Sequence, residues 1–330
     1  MLSWRAGLPR SVAPPCPWWT SYACLRLPDG GHETAGYTEA TRGCKHLCRH
    51  CPIVPVYGGR FRVVQRDVVL EDIASQIAAG ARHVTFGDPD FFNGPAHAVA
   101  VVRTLHDRFP NVTYDVTVKI EHLVQQARHL PVLRDTGCLF ITSAVEAFDD
   151  HVLEIFDKRH SSQDFVSALR LLRDLGIAMN PTFVAFTPWT TLDAYADFLL
   201  TIHRLDLVGN VAPVQYPIRL LIPEGSYLLK VPGLDAFLDG FDAEALCYRW
   251  VHPDPRGVVL FLADRTASRS VVDDWCPLVN FFEHAEAASA WSAARGVAGA
   301  VVPVTAEATD RAADMWRPRI ARRRTDPDAG

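Results

Sequence analysis

The chain has 330 residues, of which 48% are hydrophobic and 22% charged, with a net charge of −5. This balance describes a globular protein with a substantial core, either one large α/β barrel with an appendage or two domains. It carries no overall basic footprint, so nucleic acid is not the expected partner, and no run approaches the ~20 apolar residues that span a bilayer.

At the N-terminus, Pro9, Pro14, Pro15 and Pro17 stand among Trp18 and Trp19. Residues 1–32 therefore lack the continuous apolar core of a secretory signal and form either a wrapped arm or a loose start. Eight cysteines, of which only Cys44, Cys48 and Cys51 are clustered, suit a reducing compartment better than a disulfide framework, and the expected location is cytoplasmic. A first strand is expected at about 36–42, followed by the cysteine loop. Gly58-Gly59 then permits a tight turn but lacks the strand and spacing of a dinucleotide fingerprint. Leu70, Ile73, Ala74, Ile77 and Ala78 make a helical stripe that stops at Gly80, a C′ glycine. A strand follows at about 83–87.

The clearest strand is Val112–Ile120, where Val112, Tyr114, Val116, Val118 and Ile120 face one way and Thr113, Asp115, Thr117 and Lys119 the other. In a barrel the polar set would line the lumen. Further strands are expected at about 138–143, 177–184 and 211–216, with Asp149 as a helix N-cap. Another helix carries Leu192, Tyr195, Leu199 and Ile202 after Thr191, its N-cap. Six strands, each gap holding a helical pattern, give βα units roughly 25 to 35 residues apart. Eight such units complete a barrel of about 250 residues, and the pattern stops after six. A partial barrel and a doubly wound open sheet both produce this alternation, and in both, ligands collect at the carboxyl ends of the strands.

The segment Thr41-Arg-Gly-Cys-Lys-His-Leu-Cys-Arg-His-Cys-Pro52 places three cysteines in a C-x3-C-x2-C pattern on one short loop. Three thiolates can hold three irons of a [4Fe-4S] cluster and leave the fourth iron open to another ligand. The alternative is structural zinc with His46 or His50 as fourth ligand. Zinc sites usually add a second Cys or His pair downstream, and none is visible here.

This spacing after a first strand resembles the radical S-adenosylmethionine (radical SAM) superfamily over about Gly36 to Gly225. The resemblance implies an α/β fold, a partial (β/α)6 TIM-like barrel with a small C-terminal αβ extension. It also implies a [4Fe-4S] cluster on Cys44, Cys48 and Cys51 and S-adenosylmethionine as cofactor, cleaved by one electron to a 5′-deoxyadenosyl radical that abstracts hydrogen from a substrate. The expected partners are a small-molecule or peptide substrate and an external electron donor such as flavodoxin or ferredoxin. Thr85-Phe-Gly-Asp-Pro-Asp-Phe-Phe-Asn93 occupies the place of the family's Gly-Gly-Glu-like segment, which makes Gly87 with Asp88 or Asp90 the candidates for the cofactor's amino group. Gly-Asp-Pro-Asp is also a good turn. Lys119 is a candidate for the cofactor carboxylate, Arg219 beyond the sixth strand for an anionic substrate or that carboxylate, and Glu146 with Ser143 for the ribose hydroxyls. Lys119 and Glu121 would equally pair with each other, and Arg219 with a neighbouring acid. His50 fits the family's aromatic position before the third cysteine. Phe183, Phe186 and Trp189 are either an adenine-stacking surface or packing.

Within the superfamily, the segments Gly43–Arg60, Thr85–Asn93 and Phe186–Thr191 resemble proteins distinguished by a CUAEP or CCAEP tail, which is absent here. Asp274–Trp291, with Cys276, resembles the C-terminal segment of alkylmercury lyases, without a counterpart of their first catalytic cysteine. The expected division is an arm at 1–32, a barrel at 33–240, an αβ extension at 241–316 and a basic tail at 317–330. Two other readings compete: a non-enzymatic zinc or Fe-S scaffold, and a protein handling organometallic compounds through Cys276.

Overall fold

The computed structural model describes residues 24–27, 31–212, 215, 216 and 218–254. Most of the N-terminal arm, Cys276 and the basic tail lie outside them. The elements in chain order are β1 (Cys24–Arg26), β2 (His32–Thr38), β3 (Thr41–Gly43), α1 (Ile53–Tyr57), β4 (Phe61–Val63), α2 (Arg66–Ala78) and β5 (His83–Phe86). Next come α3 (Pro95–Arg108), β6 (Thr113–Thr117), α4 (Ile120–Gln125), α5 (Leu130–Asp135), β7 (Cys138–Glu146), α6 (Asp150–Ile155), α7 (Ser162–Asp174), β8 (Ala178–Phe183) and α8 (Leu192–Arg204). The short strands β9 (Ile222–Pro223), β10 (Leu238–Asp242) and β11 (Cys247–Trp250) complete the described chain.

One curled sheet organises the molecule, with strand order β1-β2-β5-β6-β7-β8. β2, β5, β6, β7 and β8 run parallel, and β1 adds an antiparallel edge that the sequence pattern did not foretell. This is the partial TIM-like barrel expected of the sequence.

The alternation read from Val112–Ile120 is the alternation observed. Tyr114, Val116, Val118 and Ile120 are fully buried in the main core, while Asp115 on the other face lies 2.9 Å from His83 Nε2 and accepts from Thr85 Oγ1 at 2.6 Å. The strand itself is shorter than expected. Lys119 is still extended, but its carbonyl accepts from Leu123 N–H, so the chain turns into α4 at Ile120.

The expected sixth strand at 211–216 is not present at its described residues. The sixth position is taken a few residues later, where Phe186 and Arg219 form a parallel bridge through Phe186 N–H to Ile218 O and Leu220 N–H to Phe186 O. The first expected strand also divides: β2 ends at Thr38, and Thr41–Gly43 turns away to pair with Phe61–Val63.

The helices lie where their stripes place them. α2 buries Val69, Leu70 and Ile73 and ends before Gly80, whose φ of 108° suits only glycine. α7 opens with a capping box between Ser161 and Asp164 and buries Phe165, Ala168, Leu169 and Leu172 at helical spacing. The side chains of Asp149 and Thr191 cap α6 and α8 by accepting from His151 N–H and Ala194 N–H.

Beyond α8 the chain builds a second apolar cluster of Val152, Phe156, Leu220, Ile222, Leu228, Leu234 and Trp250. The sheet β10-β11-β9 covers it, and Trp250 Nε1 donates to Leu220 O at 2.8 Å. The boundary expected at residue 240 therefore falls inside β10, and residues as far as Trp250 pack onto α6 of the barrel.

Replacing Ser161 by Ala should remove one of the two reciprocal bonds that start α7. We expect a loss of about 1 kcal/mol, read as a fall of about 2–4 °C in thermal midpoint.

Candidate active site

Cys44, Cys48 and Cys51 follow β3 directly, and the β3–β4 hairpin closes the loop that carries them. Gly43 is required at its base. Its φ is 82°, and a Cβ there would lie 2.5 Å from Arg60 O and 2.6 Å from the Tyr57 ring. On one flank Asn93 fastens the loop, with Nδ2 donating to Gly43 O at 3.1 Å and Oδ1 accepting from Lys45 N–H at 3.2 Å. On the other flank Arg49 N–H donates to Phe156 O at 2.9 Å, and Arg49 O accepts from Leu228 N–H at 3.1 Å and Ser226 Oγ at 3.2 Å.

All three thiols are free; Cys48 is buried and the other two half-buried. Burial pushes the Cys44 thiol up to about 11 and raises that of Cys51, and each feels the charge of other cysteines in the triplet. A metal that binds them must displace their protons. Three free thiols on a loop held at both flanks fit the donor set of a [4Fe-4S] cluster with one open iron. Cys44, His46 and Asp90 also offer ligand atoms within 4.8 Å of one another, the one such group among the described residues, and this would suit a single cation such as zinc.

The end of β5 is tied to this loop. Gly87 lies under Tyr37, whose hydroxyl would be 1.8 Å from any Cβ placed there. Asp88 does not project an exposed carboxylate. It accepts from Ala40 N–H at 2.9 Å and Thr41 Oγ1 at 2.6 Å, which pins the corner between β2 and β3. Burial raises its carboxyl to about 6 against those bonds.

Asp90 is equally buried, 2.6 Å from His122 Nδ1 and 3.3 Å from His46 Nε2. Burial alone would raise its carboxyl, but the two histidines hold it well below the usual range. Lys119 joins the same network, with Nζ 2.8 Å from Glu121 Oε2 and 3.3 Å from His46 Nδ1. The pairing of Lys119 with Glu121 is thus the arrangement observed.

At the end of β7 the backbone bulges between Ala144 and Glu146, and Glu146 has a φ of 71°. Such strain in a non-glycine residue persists only where its surroundings over-determine it. Its Oε1 lies 3.0 Å from His50 Nε2 and 3.1 Å from Lys158 Nζ. Burial would lower the Lys158 ammonium, but Glu146 and Cys48 raise it, so the pair is ionised beside the thiols. Asp157 and Arg159, on either side of Lys158, both have positive φ and turn outward, while Lys158 and His160 turn in. The His50 ring stacks on Phe156 at 4.3 Å. A cavity of about 470 Å³ opens between Glu146, Phe148, Ala185 and the Ala194, Asp197 and Thr201 face of α8. Glu146 is the candidate residue on its wall; the cysteines do not line it.

Ser143 and Arg219 are not brought to this site. Ser143 alternates with Thr142 onto the helix-covered face and donates to Val118 O at 2.6 Å. The Arg219 guanidinium lies 3.8 Å over the Trp250 ring and donates to Trp250 O, so it joins the sixth barrel position to β11. Phe183 and Phe186 pack in the core against Phe198 and Tyr195, and Trp189 lies against Phe156 and Phe237. Asn93, His122, Lys158 and His160 escaped sequence reasoning. Asn93 reaches 50 positions back to Gly43 and Lys158 12 back to Glu146, and only Lys158-Arg-His160, a basic run before the Ser161 cap, carried a local signal.

His160 provides a check on this interior. Burial, then Lys158 and Lys119, lower its imidazole to about 4 from an ordinary 6.5. Because the folded value is depressed, the unfolded chain binds the proton first. Stability should be full above pH 6.5 and decline as pH falls towards 4, by on the order of 3 kcal/mol from this group. Urea titrations across that range should show the decline, and His160→Gln should flatten it.

The radical SAM superfamily model matches residues 38–195. The chain is 24% identical over 223 residues to a tRNA-2-methylthio-N(6)-dimethylallyladenosine synthase from Desulfosudis oleivorans, covering 64% of this chain and 46% of that protein. It is 24% identical over 151 residues to a hopanoid C-3 methylase from Methylococcus capsulatus, covering 46% and 29% respectively. The chain thus spans less than half the length of these curated relatives. Its fold is similar to that of the cobalamin-dependent S-adenosylmethionine radical enzyme OxsB, with a TM-score of 0.64 at 14% identity over 86% of this chain and 49% of the other. Members of the superfamily use a [4Fe-4S] cluster and S-adenosylmethionine. The matched segment runs from the end of β2 through the clamped cysteine loop into α8, and the chain accordingly carries a radical SAM domain.

Proposed function

We propose that this protein is an enzyme that cleaves S-adenosylmethionine reductively and uses the product to abstract hydrogen from a small-molecule or peptide substrate, drawing its electron from an external one-electron donor. The observation that carries this reading is the set of three free thiols on a loop held at both flanks, after the first parallel strand of a radical SAM domain. A [4Fe-4S] cluster on Cys44, Cys48 and Cys51 would supply one electron to S-adenosylmethionine bound at its open iron, yielding methionine and a 5′-deoxyadenosyl radical.

The chain's own residues bind and orient. Glu146 is aimed by its bulge, and both its protein contacts fall on Oε1, so Oε2 serves as acceptor for the ribose hydroxyls. Lys119 and Lys158 are buried ammonium groups that both act on His160, and either complements the cofactor's carboxylate. Gly87 makes room for the Tyr37 ring, which closes over the end of β5. Asp88 and Asp90 hold the corner and the histidines that shape the site. The two curated relatives are named for different substrates, a tRNA base and a hopanoid, so what this chain has in common with them is the radical domain.

Anaerobic reconstitution should load about four irons and four sulfides per chain. With dithionite and S-adenosylmethionine the loaded protein should release 5′-deoxyadenosine, and Cys48→Ala should abolish that release. One zinc per chain, with no iron and no 5′-deoxyadenosine, would overturn the reading in favour of a cation at Cys44, His46 and Asp90. Glu146→Gln should weaken S-adenosylmethionine binding by about tenfold or more with iron content unchanged, since it removes a charged acceptor. Equal affinity in equilibrium dialysis would remove Glu146 from the cofactor site.

A further inference from the structure

The segment around the cysteines reverses the charge of the whole. Between Ala40 and Arg66 stand Arg42, Lys45, Arg49, Arg60, Arg62 and Arg66 without one Asp or Glu, in a chain of net charge −5. All but Arg49 are exposed. Glu39 pairs with Arg42, and Asp67 with Arg66. Lys45, Arg60 and Arg62 have no acidic partner among the described residues.

The hairpin places two of these charges against each other. Arg42 and Arg62 are direct cross-strand partners in β3 and β4. Like charges in that position destabilise an antiparallel pair, and a ribbon of two short strands has little stability to spare. Exposed aliphatic side chains stand in the same segment, Leu47 at 41% and Val56 at 73%, whereas Val63 pairs with Thr41 and lies on the ribbon's other face. Leu47 lies between Cys44 and Cys48 and packs against Gly59 at the turn.

We propose that this face, the outer side of the β3–β4 hairpin with the cysteine loop, is the docking surface for an acidic one-electron carrier protein. The proposal rests on the radical SAM reading of the same cysteines. Basic side chains unpaired among the described residues, beside exposed Leu47 and Val56, suit the weak, electrostatically steered encounters of redox partners, and they belong to the segment that carries the loop to which the electron must be delivered. The carrier loses one electron, the cluster gains it, and no bond is made or broken. A nucleic acid would also answer the positive charge, and Tyr37, 51% exposed with its hydroxyl on Glu39 beside Arg42, offers a base a stacking surface, so RNA binding is measured in the same test.

The test is the double charge reversal R60E/R62E, two exposed positions remote from the thiols' own contacts. Binding to immobilised flavodoxin, an acidic flavin carrier, is measured at about 20 mM and about 200 mM salt. Wild type should bind about tenfold or more weakly at the higher salt. The variant should bind about tenfold or more weakly than wild type at low salt and respond little to salt. Equal binding by variant and wild type overturns the proposal. So does loss of binding to an RNA stem-loop while flavodoxin binding is unchanged. Dithionite reduction of the cluster, followed by EPR in both proteins, separates the two readings. Failure of reduction in both counts against the radical SAM chemistry, while the binding readout decides the docking face by itself.

Discussion

Everything at the site depends on distant backbone groups holding the cysteine loop. The segment 44–60 between two three-residue strands contains only the short α1, and three soft thiolates on it would otherwise sample many separations. Asn93 from the β5 end takes hold of Gly43 and Lys45, while Phe156 and Leu228 take hold of Arg49. The first of these partners follows Phe91 and Phe92 of the main core, and the others belong to the second apolar cluster. The loop is thus a seam between two packed regions, and the burial that holds those regions also sets the thiols' positions.

Burial at the seam explains its polar chemistry. Two networks flank the cysteines: His46, Asp90, His122, Lys119 and Glu121 on the β5 and β6 side, and His50, Glu146, Lys158 and His160 on the β7 side. Each brings a carboxylate and a lysine out of water, which is tolerated only because the charges meet. Positive φ at Glu146, Asp157 and Arg159 is concentrated where the second network is assembled. The fold accepts this strain in order to turn Glu146, Lys158 and His160 inward.

The two sides of the loop divide the work proposed for it. Inward lie the buried carboxylates and ammonium groups that flank the thiols, the residues proposed to orient the cofactor. Outward lies a hairpin whose facing arginines oppose its own pairing, suited to a partner of opposite charge. An electron arriving at the outer face would reach the thiol-held group without crossing the substrate side.

Local pattern made much of this legible. Period-two and period-3.6 alternation located the strands and helices of the barrel, because burial of one face is imposed residue by residue. The C-x3-C-x2-C spacing identified the cysteine loop, because three ligands to one group must lie close in sequence when they share a short loop. Thr191, Asp149 and Gly80 marked helix ends by chemistry confined to a few residues. What the tertiary structure alone decided involves partners far apart in the chain. Ser143 was assigned to the site, but strand register turned it to the covered face. Arg219 was assigned to the cofactor and instead lies on Trp250, a partner defined only when β11 closes over the second cluster. The last barrel position moved from 211–216 to the Phe186–Arg219 bridge, since an edge strand is chosen by what it can pair with and not by its own alternation. Asp88 and Asp90 looked alike in sequence, yet one binds backbone at a strand corner and the other two histidines. The sequence by itself determined the βα order, the cysteine donor set and the basic character of its hairpin, because each is local. Which carboxylate and which lysine flank the cysteine loop was decided only by the packed structure, because burial and ion pairing join residues as far apart in the chain as His50 and Glu146.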